Sequence, residues 1–423
     1  MTADAFMRKH HMHPGELSLE TFCRDFREEM SRGLRGERSS LGMFPAFLRC
    51  SARPRPGRVL VIDAGGTNLR LARLRYTEER RLVTEEVRRT RMPGTGGAIH
   101  AGEMFEAIAR ELLPLLADCD RGCFCFSYPC EVLPGGDGRV VELTKELEVR
   151  GLPGSRLCSP LEEALLRLGA PGRRRWRVIN DTVGAMLGGM AEDGGAGCDE
   201  YIGFVLGTGT NACAQVAAES IVKSPEAVAG GGEMIVNFES GGFDRIMQGT
   251  ADRLLDAASD SPGSQVAEKM ISGAYFPALL RTTLRLAAGE GLLPGAEAWL
   301  EHADITMAAV GELCGEAGDG EFFAPLGREN RAFAAGVNEL LLDRAAKITA
   351  GTLAAMVEAR CLPGGSRVCV CADGTTFAKN PLLRPRTEDY LRDCLTAKNG
   401  VSVVFRQVSD ATLLGTAYAG LLD

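Results

Sequence analysis

No run of eighteen apolar residues occurs in the 423-residue sequence, so nothing in it is expected to cross a membrane as a helix. An excess of positive charge is also missing. The 48 Lys and Arg stand against 56 Asp and Glu, a formal charge of −8, which argues against nucleic acid as a partner. The most basic cluster, "RRRWR" at 173–177, runs into Val178-Ile179 and reads as a solvated turn before a strand. Histidine is scarce, at five. His10, His11 and His13 fall in what reads as a polar N-terminal tail, and no Cys or His set has zinc spacing, so no structural metal is expected.

Cysteine, by contrast, is plentiful at 14. The chain is too large to need disulfide staples and shows no secretory leader pattern, so the expectation is a reduced cytoplasmic protein. Cys123 and Cys125, like Cys369 and Cys371, are two apart on apolar runs, which puts each pair on one side of a strand as small core residues. The apolar share of 45% and charged share of 25% are ordinary globular values, and the length suggests two large lobes rather than one domain.

In "LVIDAGGTNLRLARLR", residues 60–75, an apolar strand stops on Asp63, turns through Gly65 and Gly66, and resumes at Leu69. The pattern reads as strand, turn, strand. Glycines in such a turn let backbone N–H groups approach an anion, although an ordinary hairpin uses the same residues. A second unit, "YIGFVLGTGTNACAQVA" at 201–217, repeats the arrangement, with Gly209-Thr210-Asn211 echoing Gly66-Thr67-Asn68. Two such turns facing each other would hold the phosphates of a nucleotide from both sides. Between them, "VINDTVGAMLGGM" at 178–190 places Asn180 and Asp181 at the end of a strand and the start of a helix. Asp181 there is either a helix cap or a general base. "FSYP" at 126–129, "LTKE" at 143–146 and "NFES" at 237–240 add polar side chains suited to a polyhydroxy ligand.

Taken in order, these motifs resemble those of the eukaryotic-type hexokinase family. "MSRGLRGERSSLGMFPAFLR" is similar to its opening helix, "DAGGTNLR" to its first phosphate motif, and "FSYP" with "LTKE" to its sugar segment. "NDTVGAM" resembles its catalytic segment, "GTGTNAC" its second phosphate motif, "SPGSQVAEKMISGAY" a further sugar-side motif, and "ADGTTF" its nucleoside loop. Two departures stand out: Ser240 follows Glu239 where the family usually has Trp, and Leu342-Asp343 precede Arg344 where it commonly has Ser-Thr.

The resemblance implies an α/β protein with the two-lobed, actin-like ATPase (ribonuclease H-like) fold. Residues 1–57 would be a helical segment of the large lobe, 58–180 the small lobe, 181–408 the large lobe, and 409–423 a helix returning to the small lobe. It also implies ATP and Mg²⁺ as cofactors and a hexose, first of all glucose, as partner, and it leaves oligomeric state open. Asp181 would be the base and Lys145 the catalytic cation. Ser127, Thr144, Lys145, Asn180, Asp181, Asn211, Glu239 and Glu268 would bind the sugar. Asp63 would act through Mg²⁺ and its waters; Gly65, Gly66, Thr67, Asn68, Arg70, Gly207 and Thr208 would serve the phosphates, and Gly374 and Thr375 the adenosine. An exposed Asp titrates near about 4, so Asp181 is expected to be ionised at neutral pH. The alternatives are a kinase for mannose or an N-acetylhexosamine, or a sugar sensor without turnover.

Overall fold

The computed structural model describes residues 1–143, 147–193, 197–314 and 321–422. Two sheets organise them. In the first, strands β1 (Gly57–Ala64), β2 (Asn68–Tyr76), β3 (Leu82–Arg91), β4 (Arg121–Phe126) and β5 (Arg175–Ile179) run in the order β5-β4-β1-β2-β3. β1, β2 and β3 form an antiparallel meander, while β4 and β5 join parallel. The central strand β1 is apolar without alternation because both of its faces are covered, as parallel neighbours require. Leu60 and Ile62 pack under helices α3 (Ala101–Leu112) and α4 (Cys158–Arg167). Val59 and Val61 point the other way, onto Leu413, Ala417 and Leu421 of the C-terminal helix Ala411–Leu421.

The second sheet contains β6 (Glu200–Leu206), β7 (Thr210–Ala217), β8 (Glu233–Asn237), β9 (Arg367–Asp373) and β10 (Ser402–Arg406), in the order β8-β7-β6-β9-β10, with the short strand Phe44–Pro45 outside β8. Each sheet thus begins with a strand-turn-strand unit and adds parallel strands beside it, the repeat expected from the two glycine turns.

Among the described residues, two helices lie between the sheets. α5 (Asp181–Asp193) packs Val183, Met186 and Leu187 against Cys123, Cys125 and Ile179 of the first sheet and Tyr201, Cys213, Cys369 and Cys371 of the second. Both cysteine pairs therefore face one side as expected, and all 14 thiols are free. The C-terminal helix runs along α5 at backbone contact: a Cβ on Gly415 would lie 1.8 Å from the Gly184 carbonyl oxygen, and one on Gly188 would lie 2.1 Å from that of Ala411. Only hydrogen fits at these positions.

Two local expectations are corrected. The N-terminal stretch is not a polar tail: α1 (Ala3–Lys9) buries Phe6 and Met7 completely, as does Met12 beyond it. His10, His11 and His13 pair with Glu290, Glu16 and Asp4. "RRRWR" is not wholly solvated either, because Arg174 is buried and shares Glu162 with the Trp176 indole, whose Nε1 donates at 2.7 Å. Asp343, on the long helix Gly327–Ala359, accepts from the Tyr390 hydroxyl at 3.1 Å and lies 3.5 Å from Arg386. Its neighbour Arg344 forms a buried two-pronged pair with Asp252, both contacts at 2.7 Å.

Because α5 carries Asp181 and depends on the glycine contacts for its seating, Gly415→Ala is expected to destabilise the fold by about 1–3 kcal/mol. Thermal unfolding followed by circular dichroism should show a lowered midpoint; an unchanged midpoint would contradict the close helix approach.

Candidate active site

The first turn is built by its strands. Gly65 N–H donates to the Asn68 carbonyl at 3.0 Å, and Met92 N–H to that of Thr67 at 3.0 Å. A Cβ at Gly65 would meet nothing closer than 3.7 Å within the protein, so the space left by its missing side chain opens towards the cleft that Gly65 lines. The Asn68 amide donates to the exposed Thr67 hydroxyl at 3.2 Å. Asp63 faces Arg70 across the β1–β2 pair. Arg70 Nε donates to Asp63 Oδ2 at 2.7 Å, and its Nη1 donates to Asp410 at 2.7 Å. Burial still pushes the Asp63 carboxyl above its usual range, with Arg70 pulling down and Asp373 adding a smaller upward push.

The second turn closes with Gly207 N–H donating to the Gly209 carbonyl at 2.9 Å. The Gly207 carbonyl accepts from Gly273 N–H at 2.8 Å and from the Thr376 hydroxyl at 2.9 Å, and the exposed Thr208 offers its carbonyl to Ala274 N–H at 3.0 Å. Gly374, at φ 106°, packs so tightly that a Cβ would sit 2.3 Å from the Leu206 carbonyl oxygen. That contact brings Gly374 and the exposed Thr375 alongside Gly207.

Asp181 opens α5, but it is Asn180 that caps the helix: its Oδ1 accepts from Thr182 N–H at 3.0 Å. The Asp181 carboxylate accepts from the Thr182 hydroxyl at 3.2 Å, from the Thr182 backbone N–H and from Ser127, and it lines the cleft. Burial pushes it up to about 6; the hydrogen bonds from Ser127 and Thr182 pull down, and Asp63 adds to the rise. The expectation of an exposed, ordinary carboxylate is therefore corrected: Asp181 is ionised at pH 7, but with a proton affinity far closer to neutrality.

From Asn180 a chain of side chains leads away. Asn211 Nδ2 donates to Asn180 Oδ1 at 3.4 Å and to Asn237 Oδ1 at 2.7 Å, and Asn237 Nδ2 donates to Glu239 Oε1 at 2.6 Å. Asn211 Oδ1 accepts backbone N–H groups from Ala212 and Ser240 at 2.7 and 3.2 Å. Asn211 is thus fully committed to the protein and orients its neighbours. Glu239, in the left-handed region at φ 55°, is pushed up to about 7, first by burial and then by the charges of Asp181, Glu268 and Glu142, against the pull of Asn237. Glu268 is fixed by Thr210 N–H at 2.9 Å, and burial raises it too. Gly209 makes that approach possible, since a Cβ there would lie 2.7 Å from Glu268 Oε2.

A cleft of about 580 Å³ has Asp63, Gly65, Asn68 and Arg70 on one wall, Val205, Asp373 and Gly374 on another, and Ser127 and Asp181 between them; Asn180, Asn211, Glu239 and Glu268 are not on its walls. Thr144 and Lys145 lie outside the described residues. Three residues were missed in the sequence. Asp373 and Thr412 line the cleft and share a hydrogen bond of 3.4 Å, and Arg89 lines it beside its strand partner Arg70. Asn237, read in the sequence as a polar side chain of "NFES", links Asn211 to Glu239. Asp373 had a readable signal, a carboxylate ending an apolar run just before a glycine, the feature that singled out Asp63.

Two hexokinase family models match the chain, over residues 4–191 and 201–422. Human Hexokinase-3 is 32% identical over 283 residues, which cover 63% of this chain and 29% of that protein. Rice Hexokinase-2 is 27% identical over 434 residues, covering 92% of this chain and 85% of its own. The chain thus spans less than a third of the mammalian relative's length and most of the rice one. Among solved structures, a Schistosoma mansoni hexokinase complexed with glucose matches the whole of both chains at a TM-score of 0.76 and 22% identity. A glucokinase from an Antarctic psychrotroph matches 86% of this chain and 99% of its own at a TM-score of 0.53 and 17% identity. The fold is thus the two-lobed actin-like one, and the chain belongs to the hexokinase family.

Proposed function

We propose that the protein transfers the terminal phosphoryl group of ATP to the 6-hydroxyl of a hexose, glucose being the first candidate. The observation that carries this reading is the position of Asp181: a partly buried carboxylate at the start of α5, held by Ser127, in the same cleft as the glycine turn at Gly65. An alcohol is a weak nucleophile. As its oxygen bonds to phosphorus and the bond to the leaving ADP oxygen breaks, its proton passes to an Asp181 oxygen. A proton affinity raised towards neutrality suits that task better than that of an ordinary Asp.

Donors and acceptors for the sugar come from the asparagine chain. Among the described residues Asn180 Nδ2 has no protein partner, while Asn237 steadies Glu239 to accept or donate. Polar groups of this kind, once covered by a bound sugar, discriminate between sugars that differ by one hydroxyl. Asp63, Asp181 and Asp373 form an all-oxygen set around the cleft, which suits a hard cation. No three such groups converge into a protein cage among the described residues, and Mg²⁺ arriving on a nucleotide needs only one or two carboxylates. Asp63 and Asp373 would hold it, and when bound it would neutralise charge on the phosphates.

A coupled assay of ADP release with glucose, mannose, fructose and N-acetylglucosamine tests the reading and ranks the sugars. Asp181→Ala should lower kcat by at least about a hundredfold while leaving glucose binding, measured by calorimetry, within a few fold. Unreduced turnover would remove Asp181 from the role of base. Because the base works only when ionised, kcat/KM should fall as pH drops through about 6, the value to which Asp181 is raised; a profile flat down to pH 5 would contradict it. Glu239→Gln should raise the KM for hexose by roughly tenfold or more, with the KM for MgATP little changed.

A further inference from the structure

The residue after Ser127 reaches the other side of the chemistry. Tyr128 is buried at 3% exposure, its ring lies 5.0 Å from that of Phe126, and its hydroxyl donates to the Gly66 carbonyl at 3.0 Å. Gly66 is the second glycine of the first turn. Within that turn Gly65 N–H and the Thr67 carbonyl are already held by backbone bonds. The Gly66 carbonyl is held by Tyr128. Since a peptide unit is planar, fixing that oxygen also fixes the direction of Thr67 N–H at the other end of the same unit. A glycine pair has wide conformational freedom, so the turn gains order from an anchor outside it.

The anchor begins where β4 ends, with Ser127 N–H donating to the Ala64 carbonyl at 3.2 Å. Two successive side chains thus take different targets: Ser127 holds the Asp181 carboxylate, and Tyr128 holds the glycine turn. We propose that Tyr128 is a positioning residue for nucleotide phosphates, its hydroxyl presetting the first glycine turn, an inference that rests on the kinase reading. The hydroxyl touches no substrate. It aims the backbone donors that would, and so its loss acts on the nucleotide and spares the hexose.

Tyr128→Phe keeps the ring and deletes only the hydroxyl. Calorimetric titration of MgADP into wild-type and variant chains should show binding weakened roughly three- to tenfold, the usual scale for one net hydrogen bond. The KM for MgATP should rise by a similar factor, while glucose affinity stays within twofold and the thermal midpoint is little moved. Unchanged MgADP affinity overturns the proposal. So does an equal loss for both ligands, which would mean a general structural role. If wild-type protein releases no ADP with any sugar, the kinase reading fails, yet the MgADP titration still decides the role of Tyr128. A wild-type chain that binds no MgADP overturns both.

Discussion

Negative charge is crowded into a place that water reaches poorly. Asp63, Asp181, Glu239 and Glu268 all have carboxyls raised by burial, and the charges of Asp63, Asp181 and Glu268 raise one or another of their neighbours further. Much of the surrounding architecture serves this constraint. Arg70 is drawn to Asp63, Thr210 N–H to Glu268, Ser127 to Asp181 and Asn237 to Glu239. A carboxyl raised on folding holds its proton more tightly in the folded state, so these groups lower stability as pH climbs from the unfolded value, near about 4, through their folded values. The cost remains in full above that window. Ligands that donate hydrogen bonds or bring positive charge relieve it.

Relief is selective, because each carboxylate is restrained differently. Asp63 already has a cation and can share it, whereas among the described residues Glu239 has an amide and the field of its neighbours. A polyol offers hydroxyl donors to the second kind of site, and a metal-bound nucleotide offers charge to the first. The two groups of carboxylates are thus differentiated by what each one lacks, and this separation follows from packing as much as from residue type.

Those carboxylates that end apolar strands were legible in the sequence. Asp63 and Asp181 interrupt hydrophobic runs next to small or capping residues, and both glycine turns repeat a local pattern. Arg89 and Thr412 were not legible, since each reaches the cleft only through long-range pairing: Arg89 through its register with Arg70, Thr412 through a helix whose apolar spacing spoke only of a core. The proton affinity of Asp181 was misjudged for the same reason. Burial depends on which elements cover a residue, and α5 lies between two sheets whose strands are drawn from distant parts of the chain. The N-terminal histidines likewise look solvated until Glu290 and Thr250 come beside His10.

The helix Ala411–Leu421 covers the face of the first sheet formed by Val59, Val61, Ala72 and Leu74. During synthesis that sheet emerges well before its cover. Hundreds of residues must be made while an apolar surface stays open, and closing it demands contacts of extreme sequence separation. Until the covering helix arrives, the nascent chain leaves that apolar face uncovered. The exposure of that face is thus set by when the covering helix becomes available.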